Sequence, residues 1–330
     1  MTVLWQPACS LDLIRLRAKL LHEIRCFFYA RNVLEVETPI LCQSIGTDPY
    51  IDFFSTSTAA ILDGSIDNHC LYLQTSPEFA MKRLLAANVG SIYQISKVFR
   101  KGESGRFHNP EFTLLEWYRT GFDLAQLMDE VEQLLKQLLP FEQFSAQAQR
   151  VTYSDVFRQY TGLDALAFDQ AQYQSAAEKL GFPEAIGVCA NDHVTWLDFL
   201  FSHSVQPHLG NAGVCMIYDY PACLPSLARL NSNDARIVER VEVFIHGIEL
   251  GNGYYELTDT DQQRARFEQE ILLRNSNGAQ KVNVDERFLG ALRSGLPDCS
   301  GIALGLDRLL MIISQKSHID EVLAFPVSNA

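Results

Sequence analysis

Positive charge is scarce in this sequence: 27 Lys and Arg stand against 40 Asp and Glu, giving a formal charge of −13 over 330 residues. That balance excludes a protein that coats nucleic acid through a broad basic surface, and leaves room for a local basic site. The eight cysteines form no C-x-x-C pair, which removes the usual structural-zinc signature, and a disulfide framework is not expected at this length. A P-loop pattern is missing, as are G-x-S-x-G and any Cys/His pattern that would mark an acyl-transfer nucleophile. His193, His203 and His208 come without H-E-x-x-H or a matching carboxylate spacing, so we read them as packed or surface histidines. The longest apolar candidate, Gly301–Ile313, is too short to span a bilayer and contains Asp307 and Arg308. The N-terminus, MTVLWQPACSLDL, has no basic region leading into an apolar run, so no signal peptide, no membrane partner and a cytoplasmic address are expected.

What is present is an ordinary globular composition, 47% hydrophobic and 20% charged. Ser10 can cap a helix to about Arg31, with Leu13, Leu16, Leu20, Ile24 and Phe27 at helical spacing. A short strand from Val33 stops at Pro39, and residues 44–70 read as irregular. Leu71–Gln74 is strand-like, and Ser76-Pro77-Glu78 has the order of an N-cap followed by the first helical positions. Ile92–Phe99 and Phe112–Tyr118 read as two strands joined by a loop. A helix capped by Asp123 runs from Leu124 toward Pro140. Helical segments follow near 155–160, 171–180 and 193–205, then strands at 214–220 and 239–246. An amphipathic helix from Asp259 to Arg274 precedes a closing strand, Gly-rich turn and helix. Strands that succeed one another through loops too short for a crossover favour an α+β fold, an antiparallel sheet flanked by helices. We expect one main domain over 10–327, with a helical insertion at about 141–210.

Three clusters can carry chemistry. The first is the hairpin loop with Arg100, Lys101, Arg106 and His108, a local concentration of positive charge in an acidic chain and therefore a candidate anion site. The second is Glu249 and Glu256 around Gly251-Asn252-Gly253. They are either oxygen ligands for magnesium or two glutamates about a hairpin turn. In the third, Gly301 to Arg308, two glycines precede a helix with an arginine in its first turn. Nucleotide approach and close strand–helix packing explain that pattern equally well. On the residues alone, helix capping and dipole complement account for Ser76 and Glu78 better than ligand contact does. Two arginine sites with a carboxylate pair describe an ATP–magnesium enzyme on an antiparallel sheet.

In this order the clusters resemble the signature motifs of class II aminoacyl-tRNA synthetases. The first helix with VLEVETPIL resembles motif 1, FRKGESGRFHNPEFTLLEWYR resembles motif 2, and GIALGLDRLLMI resembles motif 3. TSPE, HNPEFT, GIELGNGYYEL and PDCSG are most similar to the lysyl branch. Motif 1 begins within the first dozen or so residues, so we expect no N-terminal OB-fold anticodon domain. That form resembles the lysyl-type ligases that activate lysine, preferentially (R)-β-lysine, and attach it to a lysine of elongation factor P. By resemblance Arg100 holds the α-phosphate and Arg308 lies over adenine, with Phe112 on its other face. The implied ATP set adds Lys101, Gly102, Glu103, Asn109, Glu249, Leu250 and Gly305. The implied amino-acid set is Ser76, Pro77, Glu78, Tyr118, Glu256 and Ala303, the last bearing on β-lysine preference. Glu249 and Glu256 are implied for magnesium, and motif 1 implies a homodimer. Motif 2 of this branch has a glutamate where this chain has Gly102, so either Glu103 takes that place or adenine is read by backbone. The acidic charge argues against tRNA as acceptor. A tRNA-acylating enzyme and a non-catalytic regulatory paralog are the rival readings.

Overall fold

The computed structural model describes residues 5–57, 70–140, 147–224 and 227–330. Its chain forms two compact units, Met1–Phe122 with Thr258–Ala330, and Asp123–Leu257. The expected irregular stretch 44–70 and insertion 141–210 fall partly on 58–69 and 141–146, outside the described residues.

The first unit opens with helix α1 (Leu11–Tyr29), whose Leu13 N–H donates to the Ser10 hydroxyl at 3.3 Å. Its buried Leu13, Leu20, Ile24, Phe27 and Phe28 form the apolar stripe that the spacing predicts. Short strands β1 (Leu34–Glu35), β2 (Leu41–Cys42), β3 (Ser55–Ser57) and β4 (Cys70–Leu73) follow, the last three pairing in the order β2-β4-β3. Helix α2 (Glu78–Ala86) leads to β5 (Ile92–Phe99) and β6 (Glu111–Thr120), paired antiparallel without a break from Ile92↔Tyr118 to Phe99↔Glu111.

The second unit begins with α3 (Leu124–Leu138), closed by a capping box between Asp123 and Gln126. Then come β7 (Gln149–Thr152), α4 (Tyr153–Thr161), α5 (Gln170–Leu180), α6 (Ala185–Cys189) and α7 (His193–Leu200), the last running into a π-helical turn at Phe201–Val205. They bury an aromatic core that includes Tyr153, Phe157, Tyr173, Trp196, Phe201 and Phe244. The histidines sit in this packing: His193 Nε2 is 3.1 Å from the Tyr173 hydroxyl, and His208 stacks on Tyr160. Strands β8 (Cys215–Pro221), β9 (Ile237–Ile245) and β10 (Ile248–Tyr255) complete it, in the order β10-β9-β8-β7. The β9–β10 turn is His246-Gly247, both at positive φ (51° and 70°), as a two-residue hairpin turn requires. Gly251-Asn252-Gly253, read from sequence as a possible turn, lies inside β10 instead.

The chain then returns to the first unit with α8 (Thr260–Ser276), α9 (Glu286–Gly295), β11 (Cys299–Gly305) and α10 (Leu306–Ile313). Strand β11 pairs antiparallel with β6 from Cys299↔Thr120 to Gly305↔Leu114, giving the order β1-β5-β6-β11. The expected Gly-rich turn before the last helix is absent, because Gly305 ends β11 and caps α10 directly. Parallel pairing occurs at β1–β5 and β7–β8, and the other named pairs are antiparallel. The α+β expectation therefore holds.

Candidate active site

Strand alternation divides the β5–β6–β11 surface into two different faces. On one, Phe28 of α1 stacks on Tyr93 at 4.5 Å between ring centroids and meets the Trp117 ring edge-on at 5.4 Å. On the other lie Phe112, Leu114, Glu116 and Tyr118 of β6. Their cross-strand neighbours on β11 are all small, Gly305 for Leu114, Ala303 for Glu116 and Gly301 for Tyr118. On β5 they are Val98, Ser96, Gln94 and Ile92. Three rows without large side chains on β11 leave this face room for a ligand.

A carboxylate cluster occupies one end. Glu116 is buried, and its oxygens accept from the Ser76 hydroxyl at 2.8 Å and the Tyr118 hydroxyl at 2.7 Å. Burial and the nearby charge of Glu78 push its carboxyl up to about 7, against those two hydrogen bonds and Lys82. Ser76 also accepts the Glu78 N–H at 3.0 Å, so one hydroxyl both ties down the entry to α2 and orients Glu116. The expected order of Ser76 as N-cap and Pro77 as first helical residue is displaced by one: Pro77 is the cap residue, without a side-chain cap bond, and Glu78 opens the helix. Buried Lys82 forms an ion pair with Glu78 one helical turn away at 2.5 Å. The sequence places Glu116 on the strand face of Phe112 and Tyr118 without assigning it a contact, and it does not single out Lys82. Glu116 follows from period two on β6, whereas a lysine inside an amphipathic helix carries no such mark.

Positive charge gathers at the other end. Arg100 follows β5, its amide donating to Pro110 O at 2.9 Å and its guanidinium lying 5.1 Å from the Phe112 ring centroid. Glu103 faces it at 3.5 Å. Gly102 has φ +83°, where a side chain would be strained, which gives a backbone reason for glycine at that position. Lys101 is exposed, and its N–H donates to Asp52 O at 2.9 Å. Asn109 is buried and held by backbone: its Nδ2 donates to Glu111 O and its Oδ1 accepts from Val327 N–H at 3.1 Å. Its carboxamide therefore fixes the loop. Arg308 donates to Phe107 O at 3.2 Å and contacts His108 Nε2 at 2.7 Å, joining motif 3 to the motif 2 loop. Asp307 explains how α10 is set there. It takes the Thr113 N–H at 2.7 Å and the Arg17 guanidinium at 2.5 Å.

The second unit presents acidic residues of its own. Glu249 and Glu256 are seven positions apart, so uninterrupted alternation would put them on opposite faces. A bulge at Leu250 changes that: Glu249 pairs with Phe244, and Gly251 with Val243. By this register Glu249 shares a face with Asn252, Tyr254 and Glu256, and with Glu242 and Arg240 of β9. Burial and the charge of Glu249, working against neighbouring Arg240, push the Glu242 carboxyl up to about 7. Glu242 is a further acidic residue that the sequence reading missed. Glu256 is buried, and its backbone carbonyl accepts from Arg229 at 3.3 Å. Among the described residues no group of three His, Cys, Asp or Glu converges into a ready-made metal cage.

The family model for tRNA synthetases class II (D, K and N) matches residues 6–329. Elongation factor P–(R)-beta-lysine ligases from Pectobacterium atrosepticum and Yersinia enterocolitica are each 44% identical over 329 residues, covering 100% of this chain and 99% of theirs. The Vibrio parahaemolyticus ligase of that name is 44% identical over 322 residues, 98% of each chain.

Proposed function

Because the chain belongs to the class II tRNA synthetases of the D, K and N group, we propose that it activates (R)-β-lysine or lysine with ATP and transfers it to a lysine of elongation factor P. The observation that carries this reading is the divided face of β6, with a buried carboxylate for a cationic amino acid at one end and Arg100 at the other.

The substrate ammonium sits against Glu116, oriented by Ser76 and Tyr118, with Glu78 adding negative charge. The substrate carboxylate then points along the strand toward Arg100. One of its oxygens attacks the α-phosphorus of ATP as the bond to the β-phosphate oxygen breaks. Pyrophosphate leaves, and an aminoacyl-adenylate remains. Arg100 counters the charge on the α-phosphate, and Arg308, fixed by Asp307 and His108, covers the adenine with Phe112. The acceptor lysine amine next attacks the acyl carbon, AMP departs, and the amine loses a proton. No protein nucleophile is required, so positioning and electrostatics account for the rate.

By the resemblance Glu249 and Glu256 would hold magnesium, and Glu242, on the same face and ion-paired with Arg240, is a further hard oxygen donor beside them, with non-protein oxygens completing the shell. Bound there, magnesium would supply charge neutralisation. Glu256 keeps the amino-acid role that the resemblance gives it. We place the enzyme in the cytoplasm beside its translation-factor acceptor; no described helix is long and apolar enough to cross a membrane. A homodimer through motif 1 accords with exposed Leu11, Tyr29 and Leu34.

ATP–pyrophosphate exchange with each amino acid, followed by transfer of label to elongation factor P or tRNA, tests the proposal. Exchange with a lysine-type amino acid and label on the factor is expected. Label on tRNA alone would overturn the acceptor.

A further inference from the structure

Two residues of β5 on the ligand-facing surface each bury a side-chain oxygen that has no hydrogen-bond partner among the described residues. Gln94 is 3% exposed and Ser96 9% exposed, and the Gln94 Oε1 and Ser96 Oγ atoms are buried without one. Such groups are costly to leave unsatisfied. Both lie on β5, Gln94 directly across from Glu116 and Ser96 directly across from Leu114. Their row neighbours on β11 are Ala303 and Gly305, too small to reach them.

We propose that Gln94 is a specificity-determining residue of the amino-acid pocket, accepting a hydrogen bond through Oε1 from the substrate ammonium that Glu116 holds. The inference rests on the activation reading above and adds a contact to it. The chemistry favours a neutral acceptor here. An ammonium has three N–H groups to satisfy, and a carboxylate oxygen of Glu116 meets only part of that demand. Glu78 and Glu116 already crowd negative charge together with Lys82 as their buried counter-charge, so a third carboxylate across from Glu116 would repel both. An amide completes the ammonium shell without that repulsion. Ser96, one row nearer Arg100, faces the part of the substrate between ammonium and reacting carboxylate.

The test is Gln94→Met, which keeps side-chain length and removes the acceptor, beside Gln94→Glu. Exchange kinetics and calorimetric binding of (R)-β-lysine and lysine without ATP are measured for both variants. Gln94→Met should raise the amino-acid KM and the calorimetric Kd about tenfold or more, with the ATP KM within about twofold of the unaltered protein. Gln94→Glu should weaken binding at pH 7 and recover it as pH rises, because the added carboxylate raises the proton affinity of the cluster. Unchanged amino-acid KM and Kd in Gln94→Met, while the unaltered protein exchanges normally, would overturn this inference and leave the activation reading standing. A rise in ATP KM matching that for the amino acid would also overturn it, as a merely structural defect. No exchange by the unaltered protein with any amino acid would remove the activation reading and this inference with it.

Discussion

The hairpin β5–β6 and the hairpin β9–β10 both present carboxylates from antiparallel strands, yet they do so by different devices. In the first the register is unbroken over eight residue pairs. Simple alternation therefore puts Phe112, Glu116 and Tyr118 on one face. In the second, one extra residue at Leu250 reverses the alternation and brings Glu249 round to the face of Glu242 and Glu256. A regular strand can lay a long substrate out along its length, amino acid at one end and nucleotide at the other. A bulged strand gathers acidic groups that regular spacing would separate, here on the face where Glu242 is ion-paired with Arg240.

The largest expected effect tests the regular hairpin. Arg100→Ala should lower pyrophosphate exchange by about a thousandfold or more, as loss of a preorganised charge opposite the transition state does. Its circular dichroism and thermal midpoint should be unchanged, because the side chain's ion pair is with the half-exposed Glu103. Near-normal exchange would remove the mechanism. Glu116→Gln should raise the amino-acid KM about a hundredfold and leave the ATP KM alone, reflecting loss of a charged partner for the ammonium. Equal changes in both constants would show that the two ends of the strand are not separate sites.

The bulged hairpin is tested by Glu242→Gln. Exchange should fall about tenfold or more at low magnesium and recover in part when magnesium is raised, with magnesium titrations as the measurement. The same loss at every magnesium concentration would place Glu242 outside the metal set.

How much of this was legible in the sequence follows the same division. The α1 stripe, the Asp123 cap and the β5–β6 pair obey local rules of periodicity and capping, and they stand where the residues put them. The face carrying Glu116 was equally readable. The bulge was not, because Gly251-Asn252-Gly253 is as good a turn signal as a strand signal until β9 is laid beside it. The true turn, His246-Gly247, has only one glycine to announce it. Asn109 was read as an ATP contact, and its type gives no warning that its amide and carbonyl tie Glu111 to the C-terminal segment at Val327. Lys82 escaped notice because a helix-face lysine is normally solvated, and its burial depends on α9, far along the chain, where Phe288 lies 5.9 Å from its ammonium.

Smaller effects refine the regular hairpin. The Glu116 carboxyl lies at about 7 without a ligand, so protons compete with the substrate ammonium below that pH. The amino-acid KM should rise as pH falls through 7, approaching about tenfold per pH unit, and stay level above it. The stability sign is opposite. A carboxyl raised in the folded state favours folding below its unfolded value near 4.5, and that advantage is lost as pH rises toward 7. The ligand-free protein should therefore lose some stability over the range in which it gains affinity, which thermal melts with and without amino acid will show. The smallest expected effect is Ala303→Gly. Removing one methyl across from Glu116 should shift the ratio of (R)-β-lysine to lysine kcat/KM by about two- to tenfold, within the range for a single methyl in a pocket.

The central claim is that one strand face joins a lysine-type amino acid to ATP for transfer to a protein. Pure enzyme incubated with ATP, labelled (R)-β-lysine, elongation factor P and tRNA together tests it most directly. Pyrophosphate release with label on the factor is the predicted result; absence of pyrophosphate release with every amino acid tried would contradict the account.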